Sequence, residues 1–169
     1  IRMHPDRWEH GSDYASVDLE ASSDCSEGDL PNPWGDGGQF YGCGRDALRD
    51  LAEHGITSRG WRRLWIPSYF CEDVVEALRC LSLDLMRYPD GPWSREPCIP
   101  LASLRAGDAC LLVNFFGTRS CLNGDPESRP AEVEFIEDHT HDPWSTSARR
   151  SQASYAIASL RKTLPVADG

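Results

Sequence analysis

Three short stretches carry side chains from which chemistry can be built. Ser159-Leu-Arg-Lys162 presents a lysine amine, the group that captures a carbonyl as an imine, with Arg161 beside it. Phe135-Ile-Glu-Asp-His-Thr-His141 sets two carboxylates and two histidines at the end of an apolar run. A carboxylate there can pair with a protonated ring nitrogen and keep a cofactor electron-poor. Gly42-Cys-Gly-Arg-Asp-Ala-Leu48 runs glycines into a helix start, where backbone N–H groups and the helix dipole suit a phosphate. The second stretch has a rival reading. Asp138, His139, His141 and Asp142 offer imidazole and carboxylate ligands for a metal-dependent hydrolase. That reading needs a further ligand, and only His4, His10 and His54 remain.

A regular scaffold has to position these groups. Apolar spacing predicts a helix over Asp46–His54 with Gly55 as its stop, and a second over Glu72–Leu81. Short apolar runs predict strands at Leu64–Ile66, Leu83–Tyr88, Val133–Ile136 and Ser154–Ala158, with a fainter one at Tyr14–Leu19. Ala109–Phe115 is nearly all apolar, as expected of a strand covered on both faces. Helices alternating with such strands predict an α/β fold with a mainly parallel sheet flanked by helices. In such sheets ligands bind beyond the carboxyl ends of the strands, which is where Asp138 and Lys162 fall. The link from Gly117 to Glu132 is short and polar for a crossover helix.

Composition narrows the function classes. The chain has 169 residues and a formal net charge of −10. Much of the excess lies in residues 1–39, where Asp6, Glu9, Asp13, Asp18, Glu20, Asp24, Glu27, Asp29 and Asp36 face only Arg2 and Arg7. We read this stretch as an acidic lead-in arm. Gripping a nucleic-acid backbone needs clustered cations, so nucleic acid is not an expected partner. No apolar run approaches the roughly 20 residues that cross a bilayer, and no secretory leader is visible. The seven cysteines show no C-x-x-C spacing, which fits reduced thiols in a cytoplasmic protein.

The order of the motifs adds more than any one of them. Gly44-Arg-Asp-Ala-Leu48, Ile66-Pro-Ser-Tyr-Phe70, Asn114-Phe-Phe-Gly117, Glu137-Asp-His-Thr-His141 and Ser159-Leu-Arg-Lys162 follow one another along the chain. In this the chain resembles the fold-type-I pyridoxal 5′-phosphate (PLP) enzymes, most closely the sugar-aminotransferase branch. The resemblance spans about residues 40 to 169. It implies a PLP-binding large domain of three-layer αβα form, incomplete at its C-terminal side, and an aminotransferase moving an amino group between an amino acid and a keto substrate. It further implies that Lys162 is the Schiff-base lysine and that Asp138 pairs with the pyridinium nitrogen. The phosphate falls to Gly44, the amides of Arg45 and Asp46, and the Ser159 hydroxyl. Tyr69 or Phe70 stacks on the ring, Asn114 contacts the ring hydroxyl or the substrate, and His141 lies near the ring. A homodimer with small-molecule amino donor and acceptor as ligands is also implied. Two departures stand out: Cys71 where the family often has its aromatic, and Arg45 where it often has Thr.

Overall fold

The computed structural model describes residues 38–119 and 129–163. The acidic lead-in, the Tyr14–Leu19 strand and the middle of the Gly117–Glu132 link lie outside these, apart from the last residues of the lead-in and the two ends of the link. Five strands form one sheet: β1 (Arg63–Pro67), β2 (Asp84–Tyr88), β3 (Asp108–Val113), β4 (Glu134–Asp138) and β5 (Tyr155–Ile157). Their order across the sheet is β2-β1-β3-β4-β5, and every neighbouring pair is parallel. All carboxyl ends therefore emerge along one edge. Val113, Asp138 and Ile157 stand in register there, beside Pro67 and Tyr88 on the next pair.

Alternation along each strand sorts its side chains onto two faces. One face carries Leu64, Ile66, Ala109, Leu111, Val113 and Ile136, and packs against helices α1 (Gly44–His54) and α2 (Glu72–Leu78). Leu48 and Ala52 of α1 and Val75 and Leu78 of α2 supply the helical side of that core. The opposite face carries Trp65, Cys110, Leu112 and Phe135, covered by Leu104, Ile99 and Ala153 from irregular segments. Strand β3 is buried at every position, as its continuous apolar run requires. Burial pushes the Cys110 thiol well above its usual range, so it behaves there as a small hydrophobe. Among the described residues no helix is long and apolar enough to cross a membrane.

The first helix does not stop at Gly55. The chain continues through a π-helical turn, Gly55–Arg59, and leaves it at Gly60 with φ of 73°. Gly55 is a glycine for packing instead: a Cβ there would lie 2.0 Å from the Trp61 indole, which lies directly against its backbone. Gly60 does the terminating, because the left-handed region is open to glycine at little cost. The second helix is also shorter than expected, ending at Leu78.

Two sets of charged groups fasten the sheet. At the amino ends, Arg63 Nε and Nη2 lie 2.7 and 2.6 Å from the Asp108 carboxylate oxygens, which also accept from Trp65 Nε1 and the Arg105 amide. Arg59 and Trp61 clasp Glu134 in the same way. At the carboxyl ends, Asp90 and Arg119 form a bidentate pair of 3.0 and 2.6 Å, both side chains almost wholly buried. The Arg119 guanidinium also donates to the Val113 and Ser94 carbonyls and lies 4.7 Å from the centre of the Phe115 ring.

Breaking the buried pair strands a charge. Arg119→Leu is expected to cost about 3–5 kcal/mol, read from the urea midpoint, and the Asp90→Leu/Arg119→Leu double variant less than the single. A second expectation concerns acid. Burial alone would raise the Asp108 and Glu134 carboxyls, but the bonds from Arg63 and Arg105 to one, and from Arg59 and Trp61 to the other, outweigh it and hold both low. Both folded values thus lie below the unfolded ones near ~4. Their contribution is complete above about pH 4 and is lost as pH falls through the folded values. Urea midpoints measured downward from about pH 6 should drop below about pH 4, and less steeply in Asp108→Asn.

Candidate functional site

Beyond the carboxyl edge of the sheet lies a cavity of about 660 Å³. Its lining comes from five separate stretches: the start of α1, the turn after β1, the turn after β3, the end of β4, and the segment after β5. Gly44, Arg45, Tyr69, Phe70, Asp138, His141, Ser159 and Lys162 all line it. Residues far apart in the chain meet here because a parallel sheet delivers every strand end to the same side.

The α1 end of the cavity is built for close approach. A Cβ on Gly44 would stand 3.7 Å from the Ser159 Cβ, so the helix start and the segment after β5 lie against each other. Ser159 is buried at that contact. The amide of Asp46 is already engaged, donating to the Cys43 carbonyl at 3.1 Å. The expected role for Asp46 in the phosphate cradle is therefore corrected: its N–H belongs to the helix, and Asp46 does not line the cavity. The reason is that the helix begins earlier than its apolar pattern, at Gly44, so Asp46 already sits inside the first turn.

Asp138 closes β4 with its carboxylate buried, and Oδ1 accepts from the Thr140 amide at 2.8 Å. Burial raises its pKa, against the opposing pull of the Thr140 bonds and of the two nearby histidines. His141 stands across from it, its ring centre 5.0 Å from that of Phe116. Dehydration lowers the His141 pKa; Asp138 pulls it upward and the Lys162 charge pushes it further down. Lys162 ends a single 3-10 turn, Leu160–Lys162, whose amide donates back to Ser159 at 3.2 Å. A lysine amine, a neutral imidazole and a buried carboxylate thus share one cavity with a helix start.

Aromatic rings form another wall. Tyr69 meets Phe115 edge-on with centres 5.6 Å apart, and Phe115 is the ring backed by Arg119. Phe116 adopts φ of 55°, uncommon for a bulky residue, and Gly117 follows at 70°. A Cβ on Gly117 would lie 2.7 Å from that of Asp142, so the turn passes tightly beneath the His141–Asp142 segment. Phe116 was not among the expected site residues. Its signal was the Phe-Phe-Gly sequence after a buried strand, which forces one ring out of the core.

Two further expectations are corrected. Asn114 does not reach the cavity. Its side chain is buried, and Oδ1 accepts from the Arg119 amide at 3.3 Å, which ties the turn after β3 to the buried ion pair. The Asp138/His139/His141/Asp142 set does not converge on a metal site. His139 is fully buried with Nε2 2.9 Å from Glu137, while His141 turns to the cavity and His54 lines a separate one. Alternation sends Asp138 and His139 to opposite sides at the strand end, and β4 stops at Asp138, so the turn that follows carries His141 away from His139. Among the described residues no three His, Cys, Asp or Glu side chains stand together as a group that could hold a metal ion.

Fold and site together define an α/β protein with a mixed-charge cavity at the carboxyl edge of a parallel sheet. No protein-family model, curated protein or solved structure matches the chain significantly.

The buried Asp138 carboxylate carries an expectation of its own. Its folded pKa is raised, so the cofactor-free folded chain binds this proton more tightly than the unfolded chain does. The contribution to stability is most favourable below the unfolded value near ~4 and declines as pH rises through the folded value. Asp138→Asn should therefore raise the urea midpoint of the cofactor-free chain at neutral pH, with the gain shrinking as the pH approaches about 4.

Proposed function

We propose that the chain carries the cofactor-binding portion of a PLP-dependent transferase, an aminotransferase acting on an amino donor and a keto acceptor. One observation carries the reading. Of the ten cofactor-site residues expected from the sequence, Gly44, Arg45, Tyr69, Phe70, Asp138, His141, Ser159 and Lys162, scattered over more than a hundred positions, line a single cavity, and Asp46 and Asn114 do not.

The donor set fits the cofactor's parts. A phosphate matches the helix start at Gly44 and Arg45 with the Ser159 hydroxyl across the contact, where a dipole and a hydroxyl favour an anion. A ring nitrogen that carries a proton matches Asp138. That carboxylate is costly to ionise alone in its buried place, and a cation beside it removes the cost. An aldehyde matches the Lys162 amine. Bound there, PLP supplies a carbonyl that captures amines and a ring that draws electron density from the substrate's α-carbon.

The chain's own residues do the rest. Asp138 holds the ring in its protonated form. Tyr69 and Phe70, with Phe116 beside His141, would offer the ring aromatic surface. Lys162 would be the amine that holds the cofactor and the base that holds and returns a proton. His141, kept neutral by dehydration, adds a hydrogen-bonding group without adding a charge. On this reading the parallel sheet is the large domain of a three-layer αβα transferase, and its working form is a homodimer. Scaffold alone does not dictate the reaction, so the transferase assignment rests on Lys162 and Asp138 rather than on the sheet.

The test is the visible absorption spectrum of the protein with added PLP, for wild type and Lys162→Ala. Wild type should gain a visible band that borohydride bleaches, leaving the reduced cofactor's mass on the peptide containing Lys162. The variant should show neither. A band that survives in Lys162→Ala would remove Lys162 from its role. Failure of wild type to bind PLP at all would remove the reading.

A further inference from the structure

The Asp138 carboxylate is held by its own chain. The backbone around it is fixed first. The Asp138 carbonyl accepts from the Asn114 amide at 2.9 Å, and the next amide, that of His139, donates to the Ile157 carbonyl of β5 at 2.8 Å. The chain then enters a turn closed by the Asp142 amide, which donates to the His139 carbonyl at 3.0 Å. Thr140 stands inside that turn and lines the cavity. Its amide donates to Asp138 Oδ1 at 2.8 Å, the local loop in which an aspartate accepts from an N–H just ahead in the chain. Its hydroxyl donates to the same carboxylate.

Burial favours the neutral acid at this position. The strongest pull the other way is the Thr140 hydroxyl, then the Thr140 amide, and only then the charges of His141 and His139. Across the cavity Arg45, Arg161 and Lys162 face the carboxylate, with Asp73 opposing them, while Asp142 shares the turn and Glu137 is bonded to His139. None of these replaces a hydroxyl in direct contact. In the cofactor reading, on which this inference rests, Asp138 serves the ring nitrogen of PLP, and for that it must be an anion.

We infer that Thr140 is a positioning residue of this site: with amide and hydroxyl together it holds the Asp138 carboxylate in one orientation, as the anion that a protonated ring nitrogen requires. An apolar residue of the same shape at position 140 keeps the amide bond and loses the hydroxyl. The buried acid then keeps its proton to higher pH, and the ring nitrogen loses its counter-charge.

Carboxyl-carbon NMR of the cofactor-free 169-residue chain, isotopically labelled at aspartate Cγ, tests this. The Asp138 signal is the one lost in Asp138→Asn. Thr140→Val is expected to raise the Asp138 titration midpoint by about one pH unit, and Thr140→Ser to leave it near the wild-type value. PLP affinity, read from the visible band at neutral pH, should fall about tenfold in Thr140→Val and recover in Thr140→Ser. A midpoint unmoved in Thr140→Val, or moved equally in Thr140→Ser, refutes the role. So does an unchanged PLP affinity where the midpoint has risen. If wild type gives no PLP band while the midpoint still follows the hydroxyl, the cofactor reading falls and the hold of Thr140 on Asp138 stands.

Discussion

A guanidinium and a carboxylate removed together from water must satisfy almost every donor and acceptor they own, or the fold loses several kcal/mol. Asp90 and Arg119 meet that demand, and much of the carboxyl edge hangs on how they do so. Arg119 reaches back to the Val113 carbonyl at the end of β3, while its own amide holds the Asn114 side chain. Asp90 accepts the Arg119 fork with its side chain, and with its backbone carbonyl it accepts the Tyr69 amide and the Ser68 hydroxyl. One ion pair thereby joins the turns after β1, β2 and β3. The flat face of the guanidinium supports Phe115, Phe115 supports Tyr69, and Tyr69 lines the cavity. The wall is aromatic at its surface and ionic at its root.

The amino edge of the sheet is fastened differently. Arg63 and Arg59 approach Asp108 and Glu134 from the partly hydrated rim, and tryptophan N–H groups complete both carboxylates. These clasps tie neighbouring strands together but enclose no cavity. The asymmetry follows from a parallel sheet: one edge gathers the chain's entries into strands, the other its exits. Exits lead into turns of free design, and the cavity is made of them.

Much of this could be read from the residues alone, for reasons that differ by element. Strand β3 was legible because its buried positions Ala109–Val113 form a continuous apolar run. Helix α1 was legible through Leu48 and Leu51 on one face, but not its end. Gly55 carries the same letter as a helix stop, and only the Trp61 ring against its backbone separates packing from termination. Asp138 and Lys162 were expected at the carboxyl edge because their type, order and place after strands agreed, and both line the cavity there. Asn114 was misassigned for an equally physical reason. A polar residue at a strand exit can face a ligand or hold the turn, and the choice depended on Arg119, whose burial no local pattern announces. The Arg119–Asp90 pair itself was invisible, since two charged residues 29 positions apart look like two surface residues until the sheet brings them together. The histidines divided for the same kind of reason, His139 inward to Glu137 and His141 outward to the cavity.

Every neighbouring strand pair in this sheet is parallel, and that has a consequence for how the molecule comes into being. No two strands can pair through a tight hairpin, so each rung of the ladder waits on the closure of a long loop. Folding is therefore governed by distant encounters rather than by local ones, which places such chains among the slow folders. The cavity sharpens the point. Its walls come from the exits of β1, β3, β4 and β5 and from the start of α1, and β5 is only three residues long at the sheet's margin. A chain with four strands assembled would possess a sheet and most of a core but would lack the β5 side of the cavity, so that side is completed only when this three-residue strand docks on β4.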